Sequence, residues 1–225
     1  MKKINILLLL LISVFLLTGC KEESKKEKNK KEETKVVEEI NEGEVEGYKF
    51  KVVDHETDRV KIQMDNGDII LIVLSNSKTP ITIKNFKRLV SEQFYDGLIF
   101  HRVIKDFMVQ TGDPTGTGGG GSDELIKGEF KLNGVENNLS HTRGVVSMAR
   151  RGGNPETKET MNSASSQFFI VHKDSPHLDG NYAAFGKVFA GMKAVDKIAE
   201  VETDENDKPL KEQKIKSIRF IEIVE

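Results

Sequence analysis

Arg102 stands in the run Phe100-His101-Arg102-Val103-Ile104-Lys105-Asp106-Phe107-Met108-Val109-Gln110-Thr111-Gly112-Asp113, with a phenylalanine, a methionine and a glutamine close behind it. Singly these residues are ordinary: Phe107 and Met108 read as core and Arg102 as a surface charge. Together they bring a planar, permanent cation, apolar surface and an amide into one short segment. Those are the parts of a non-covalent site that dries a ligand and aims a charged donor at it. Other chemistries fit the chain poorly. His101, His141, His172 and His177, with Asp113, Asp174 and Asp179, lack any His-Glu-x-x-His or close Cys/His spacing, so neither a metal nor a cofactor is expected. Thr115 to Ser122 is glycine-rich but lacks the Lys-Ser/Thr ending of a phosphate loop, and reads as a flexible surface loop. Ser163, Ser165 and Ser166 lack the Gly-x-Ser-x-Gly elbow of a hydrolase. A net charge of -2 over 225 residues gives no electrostatic case for nucleic acid.

Short strands must carry this segment. Arg59 to Met64 alternates polar and apolar residues, Asn66-Gly67 signals a hairpin, and Ile69 to Leu74 supplies the return strand. Pro80 to Phe94 places Ile83, Phe86, Leu89 and Val90 at helical spacing, with Thr79 as the expected N-cap. Residues 99–103, 107–110, 144–149, 168–172 and 183–188 read as further strands, 192–198 as a short helix, and 214–224 as a closing strand. The fold expected is mainly β: a closed, eight-stranded antiparallel barrel capped by two helices.

The arginine-containing run resembles the signature of the cyclophilin family. Ser163-Ala164-Ser165-Ser166-Gln167-Phe168-Phe169-Ile170, Leu178-Asp179-Gly180 and Phe185-Gly186-Lys187-Val188 follow in that family's order. The resemblance covers residues 58 to 225 and implies a peptidyl-prolyl cis/trans isomerase. It makes Arg102 the catalytic donor and Gln110 the residue that orients Arg102 and contacts the substrate backbone. Phe107, Met108, Phe169 and Leu178 become the apolar floor and walls. Ala149 and Arg150 take the edge where main-chain groups pair with an extended peptide, with Gln167 beside it. His177 stands where tryptophan is common in eukaryotic members, which implies weaker cyclosporin binding. Tyr182 stands where many members have histidine and keeps an aromatic body with a polar tip. Arg150-Arg151 and residues 152–161 read as an exposed loop whose charge alters peptide preference.

The implied reaction asks little of a protein. An X-Pro bond turns slowly because resonance keeps the amide planar, with a barrier of about 18–20 kcal/mol. A dry pocket for the proline ring and a donor aimed at the prolyl nitrogen, as its lone pair localises, are sufficient. The alternative reading is a peptide-binding holdase that uses the same groove without important catalysis. A pure binder needs the pocket but not the aimed donor, and Arg102 and Gln110 are both present.

The N-terminus carries a separate expectation. Met1-Lys2-Lys3, an apolar run to Leu17 and the ending Leu17-Thr18-Gly19-Cys20 resemble a bacterial lipoprotein signal, with 1–19 removed and Cys20 lipidated. Residues 20–47, dense in Lys and Glu, read as a charged tether, and 48–225 as the isomerase domain. Cys20 is the only cysteine, so no internal disulfide can form. The expected setting is the outer face of a cell membrane, with a monomer acting on proline-containing, unfolded polypeptides.

Overall fold

The hairpin expected at Asn66-Gly67 forms: Ile62 faces Ile70 across it, and Gly67 takes the turn with φ +89°. The computed structural model describes residues 38–74, 77–153 and 156–225, so Cys20 and the whole of the signal expected at 1–19 lie outside the described residues. In chain order the elements are β1 (Glu42–Val45), β2 (Tyr48–Val52), β3 (Arg59–Met64), β4 (Ile69–Leu74), α1 (Pro80–Ser91), β5 (Arg102–Ile104) and β6 (Met108–Thr111). There follow β7 (Val145–Met148), α2 (Lys158–Met161), β8 (Phe168–Val171), β9 (Ala183–Ala190), α3 (Met192–Ala199) and β10 (Ile215–Val224).

All strand pairs are antiparallel and the order is β1-β2-β10-β3-β4-β9-β7-β8-β6-β5. This corrects the expected closed barrel of eight strands: the ladder has ten strands among the described residues and is open. Its seam is bridged outside the strand ladder, where Ile215 N–H donates to Leu98 O (2.8 Å) and Phe100 N–H to Gln213 O (2.9 Å). β5 begins only beyond that contact, and its Val103 N–H turns to Asp207 O (2.8 Å). The ring therefore does not close strand on strand.

The first two strands fall partly in the stretch read as tether. Phe50 explains them: it is buried against Leu71, Ala190 and Ile221, which anchors the β1–β2 hairpin to the sheet. Ahead of β1 the chain is held by polar groups. Gln63 accepts from Ile40 N–H (2.8 Å) and donates to Glu38 O (2.7 Å), while Lys61 Nζ donates to Ile40 O (2.5 Å).

Helix α1 starts at Pro80 as expected, but the N-cap is different. Thr79 makes no side-chain cap bond; the Glu129 carboxylate accepts instead from Ile81 N–H (3.1 Å) and Thr82 N–H (2.8 Å). An acid 47 residues away supplies both the acceptor and the charge that a helix start favours. The buried stripe of α1 puts Phe86 among Tyr95, Phe168 and Phe185, with ring centroids 5.2–5.4 Å apart. Besides α1 and α3, the structure has the short α2, which the sequence reading did not anticipate.

Alternation along β6 and β8 separates two apolar clusters. Val109, Phe168 and Ile170 enter the main core, whereas Met108, Phe169 and Val171 face the other way and pack with Leu178 and Ala184. The second cluster is the floor on which the site is built.

Candidate active site

Cross-strand register puts the key side chains on one rung. Arg102 pairs with Gln110, and Gln110 with Phe169, across β5, β6 and β8. Directly paired residues point to the same face of a sheet, so the cation, the amide and the ring share it by construction. One step along, Met108 faces the same side. A cavity of about 240 Å³ opens over this face, lined by Arg102, Phe107, Met108, Gln110, Phe169 and Leu178, with Ala149, Arg150 and Tyr182 at its margin. Nine residues singled out from sequence thus meet in one hollow. Gln167 does not line it. It lines a neighbouring cavity of about 210 Å³ that shares Gln110, Gly118, Ala149 and Arg150 with the first.

The glycine-rich segment, expected as a flexible loop, is a built wall between the two cavities. Asp113 is 1% exposed and accepts from Thr115 N–H, Thr117 N–H, Gly118 N–H and Gly120 N–H, and from the Thr115 hydroxyl. Burial alone would raise its pKa; the donors of Thr115, Gly120 and Gly118 outweigh that and hold it at about 2. A side chain at 120 would strike that carboxylate, which is why the loop needs glycine there. From the other side Gln167 Nε2 donates to Gly118 O (3.0 Å) and Gly120 O (2.6 Å).

Gln110 and Arg102 are not bonded to each other. The Gln110 amide donates to Gln167 Oε1 (2.8 Å), joining the floor to the glycine wall. Arg102 Nε donates instead to Asp207 Oδ2 (3.2 Å), on the connection between α3 and β10. With its Nε edge engaged, the guanidinium, 43% exposed, stands at the rim of an apolar hollow whose base is dry: Met108, Phe169 and Leu178 are all buried. No serine or cysteine lines this cavity among the described residues. It can desolvate a small apolar ring and present a fixed cation beside it.

Comparison with known proteins follows this geometry. Residues 59–220 match the family model described as "Cyclophilin type peptidyl-prolyl cis-trans isomerase/CLD". The chain belongs to the cyclophilin family. Among its relatives are a peptidyl-prolyl cis-trans isomerase-like 1 of Emericella nidulans, 43% identical over 67% of this chain and 88% of that one, and a peptidyl-prolyl cis-trans isomerase-like 3 of Mus musculus, 42% identical over 71% and 93%. A cyclophilin type peptidyl-prolyl cis-trans isomerase of Cryptosporidium parvum shares the fold with a TM-score of 0.64 and 33% identity, covering 75% of this chain and 98% of that one. A second structure of that protein was determined in the presence of the dipeptide Ala-Pro (TM-score 0.63, 72% and 97% covered). The chain is a peptidyl-prolyl cis-trans isomerase.

Three details of this cyclophilin refine the sequence reading. The Arg150 side chain is turned inward and bonded to the Glu156 carboxylate (2.9 and 3.1 Å), so its charge does not project into a peptide groove; Arg151 alone of the pair stays exposed. His177 lines neither cavity: it is exposed and leans on Phe107, with centroids 5.4 Å apart. Ala149 N–H is taken by Gln167 O (2.9 Å), so an incoming peptide would meet the carbonyl of Ala149 rather than its amide.

An Asp-His-Ser chain also appears, which no spacing announced. His141 Nδ1 lies 2.8 Å from Asp179 Oδ1 and Nε2 lies 3.0 Å from Ser147 Oγ. Ser147 is wholly buried and lines neither cavity, so this is no hydrolase triad. It fastens the pocket instead. Asp179 follows Leu178, and the His141 ring stacks on Phe169 at 6.2 Å. His101, next to Arg102, also lines the cavity, with Thr117, Gly118 and Asn206. Among the described residues no cluster of His, Cys, Asp or Glu could hold a metal.

Proposed function

We propose that this cyclophilin isomerises X-Pro bonds of exported, still unfolded proteins at the outer face of a bacterial membrane, with Arg102 as the catalytic donor. The observation that carries the mechanism is Arg102 at the rim of the hollow floored by Met108, Phe169 and Leu178. In this reading the proline ring enters the apolar floor and leaves water. The guanidinium then donates toward the prolyl nitrogen as the amide twists and its lone pair localises. Each tenfold of rate requires about 1.4 kcal/mol of selective stabilisation of the twisted state. An aimed, partly desolvated cation is of the right strength for several such factors. A relative's structure obtained with Ala-Pro supports a proline-containing ligand.

The location rests on the sequence ending at Cys20. Two or more acyl chains there would make membrane attachment stable, since each buried methylene contributes about 0.8 kcal/mol and a single chain is marginal. Among the described residues no helix is long and apolar enough to cross a membrane. Two measurements test the proposal. A coupled assay with a cis-prolyl peptide should show Arg102→Ala slowed by orders of magnitude with its thermal midpoint nearly unchanged, and Arg102→Lys rescuing poorly. Wild-type rates in Arg102→Ala would refute the mechanism. Mass spectrometry of the mature N-terminus should find a lipidated Cys20; an intact Met1 or an unmodified Cys20 would refute the anchor.

A further inference from the structure

The geometry points to Asp207 as the positioning residue for Arg102, the task that Gln110 does not perform. This rests on the reading of Arg102 as the donor. Three observations carry it. Gln110, the cross-strand neighbour of Arg102, turns its amide donor to Gln167, and no hydrogen bond joins its carbonyl oxygen to the guanidinium. Asp207 Oδ2 accepts from Arg102 Nε, a bond that does not use the two terminal nitrogens of a side chain that lines the hollow. Asp207 itself is fixed in place. Its carbonyl accepts from Val103 N–H (2.8 Å), one residue along β5 from Arg102, and its own N–H donates to Asp204 O (3.1 Å).

The loop around it is closed for this purpose. Asp204 Oδ1 accepts from Asn206 N–H (2.8 Å) and Lys208 N–H (2.9 Å), and Asp204 N–H donates to Lys208 O (2.8 Å). Asp207 sits in the left-handed region at φ +63°, where glycine would be more comfortable and an aspartate is tolerated. The pair is exposed, 43% and 42%, so its contribution to stability is small. A strained acidic residue that stabilises little, set on the Nε edge of the donor, is best accounted for by what it does to that donor: it removes rotamer freedom from the guanidinium before substrate arrives.

Substitution at a left-handed position lets function and stability be read apart. In the full chain, Asp207→Gly relieves the backbone and removes the carboxylate. It should lower kcat/KM by about tenfold, mainly through kcat, with a thermal midpoint equal to or above wild type. Asp207→Asn, which tolerates the same φ and offers an oxygen to Nε, should recover most of that loss. The double variant Arg102→Ala/Asp207→Gly should be no slower than Arg102→Ala alone, because Asp207 acts only through the arginine. Wild-type turnover in Asp207→Gly beside an impaired Arg102→Ala would overturn the positioning role and leave the donor intact. Full additivity in the double variant would likewise overturn it. Wild-type turnover in Arg102→Ala would instead overturn the donor reading beneath it.

Discussion

The guanidinium carbon of Arg150 lies 4.9 Å from the centroid of the Tyr182 ring and 5.0 Å from that of Phe130. In contact with two rings and bonded to Glu156, it ties the cavity margin to the segment ahead of α2. Cation–π contact with a desolvated arginine is worth about 2 kcal/mol or more, and the planar fork matters to it. Arg150→Ala should therefore lower stability by on the order of 2 kcal/mol, with Arg150→Lys recovering little. Exposed Arg151, truncated to Ala, should stay within about 0.5 kcal/mol of wild type. Urea unfolding of the three variants checks this.

Asp113 gives the glycine wall an acid limit. Its folded pKa is about 2 against an ordinary 3.8, so the unfolded chain binds more protons between those values. Its contribution, on the order of 2 kcal/mol, is complete above about pH 4 and is lost as pH falls through about 2. Asp113→Asn should remove that part of the acid dependence between pH 2 and 4. Unfolding midpoints of the two proteins across this range should converge at the acid end.

His141 works in the opposite region of the pH scale. Burial, the largest influence, pulls its pKa below the ordinary 6.5 despite the Asp179 carboxylate. The unfolded chain then binds the extra proton between the two values, so stability rises with pH through that window and falls as pH drops below about 6.5. His141→Ala leaves buried Ser147 without this partner and should cost on the order of 2–3 kcal/mol. It should also lower kcat/KM, since Leu178 and Phe169 lose their fastening. Loss of the slope below about pH 6.5 in thermal melts identifies the histidine.

His177 should be a site of drug affinity more than of turnover. It lies outside both cavities and covers only the outer flank of Phe107. His177→Trp adds buried aromatic area and an N–H donor there. Inhibition by cyclosporin should tighten, while peptide turnover stays within about twofold, because the added indole covers Phe107 from outside. Parallel inhibition and turnover measurements decide it.

What the sequence made legible was what local pattern encodes. The alternation of 59–64, the Asn-Gly turn and the 214–224 strand were plain, and the arginine-containing run with the later segments that share the family's order named nine residues that meet in one hollow. Long-range polar pairing was not legible. Glu129 caps α1 across 47 residues and Asp207 reaches Arg102 across 105, and neither carries a local signature. Asp207 sits in a charged connection that reads as solvated surface. β1 was hidden by its acids, since a strand secured by one phenylalanine on its partner lacks the apolar alternation that would announce it.

The strand order has a consequence for synthesis. β10 follows every other described strand in the chain, yet it lies between β2 and β3, two of the first. Until β10 has emerged, the β1–β2 hairpin has no neighbour and one edge of β3 is bare. The sheet therefore cannot assemble progressively from its beginning; it waits for β10, which then joins β2 to β3 in one step. A nascent or C-terminally clipped chain would carry the Arg102 segment intact in sequence yet lack the middle rail of the sheet, and so exist as an incomplete, strand-exposing species prone to pairing with others.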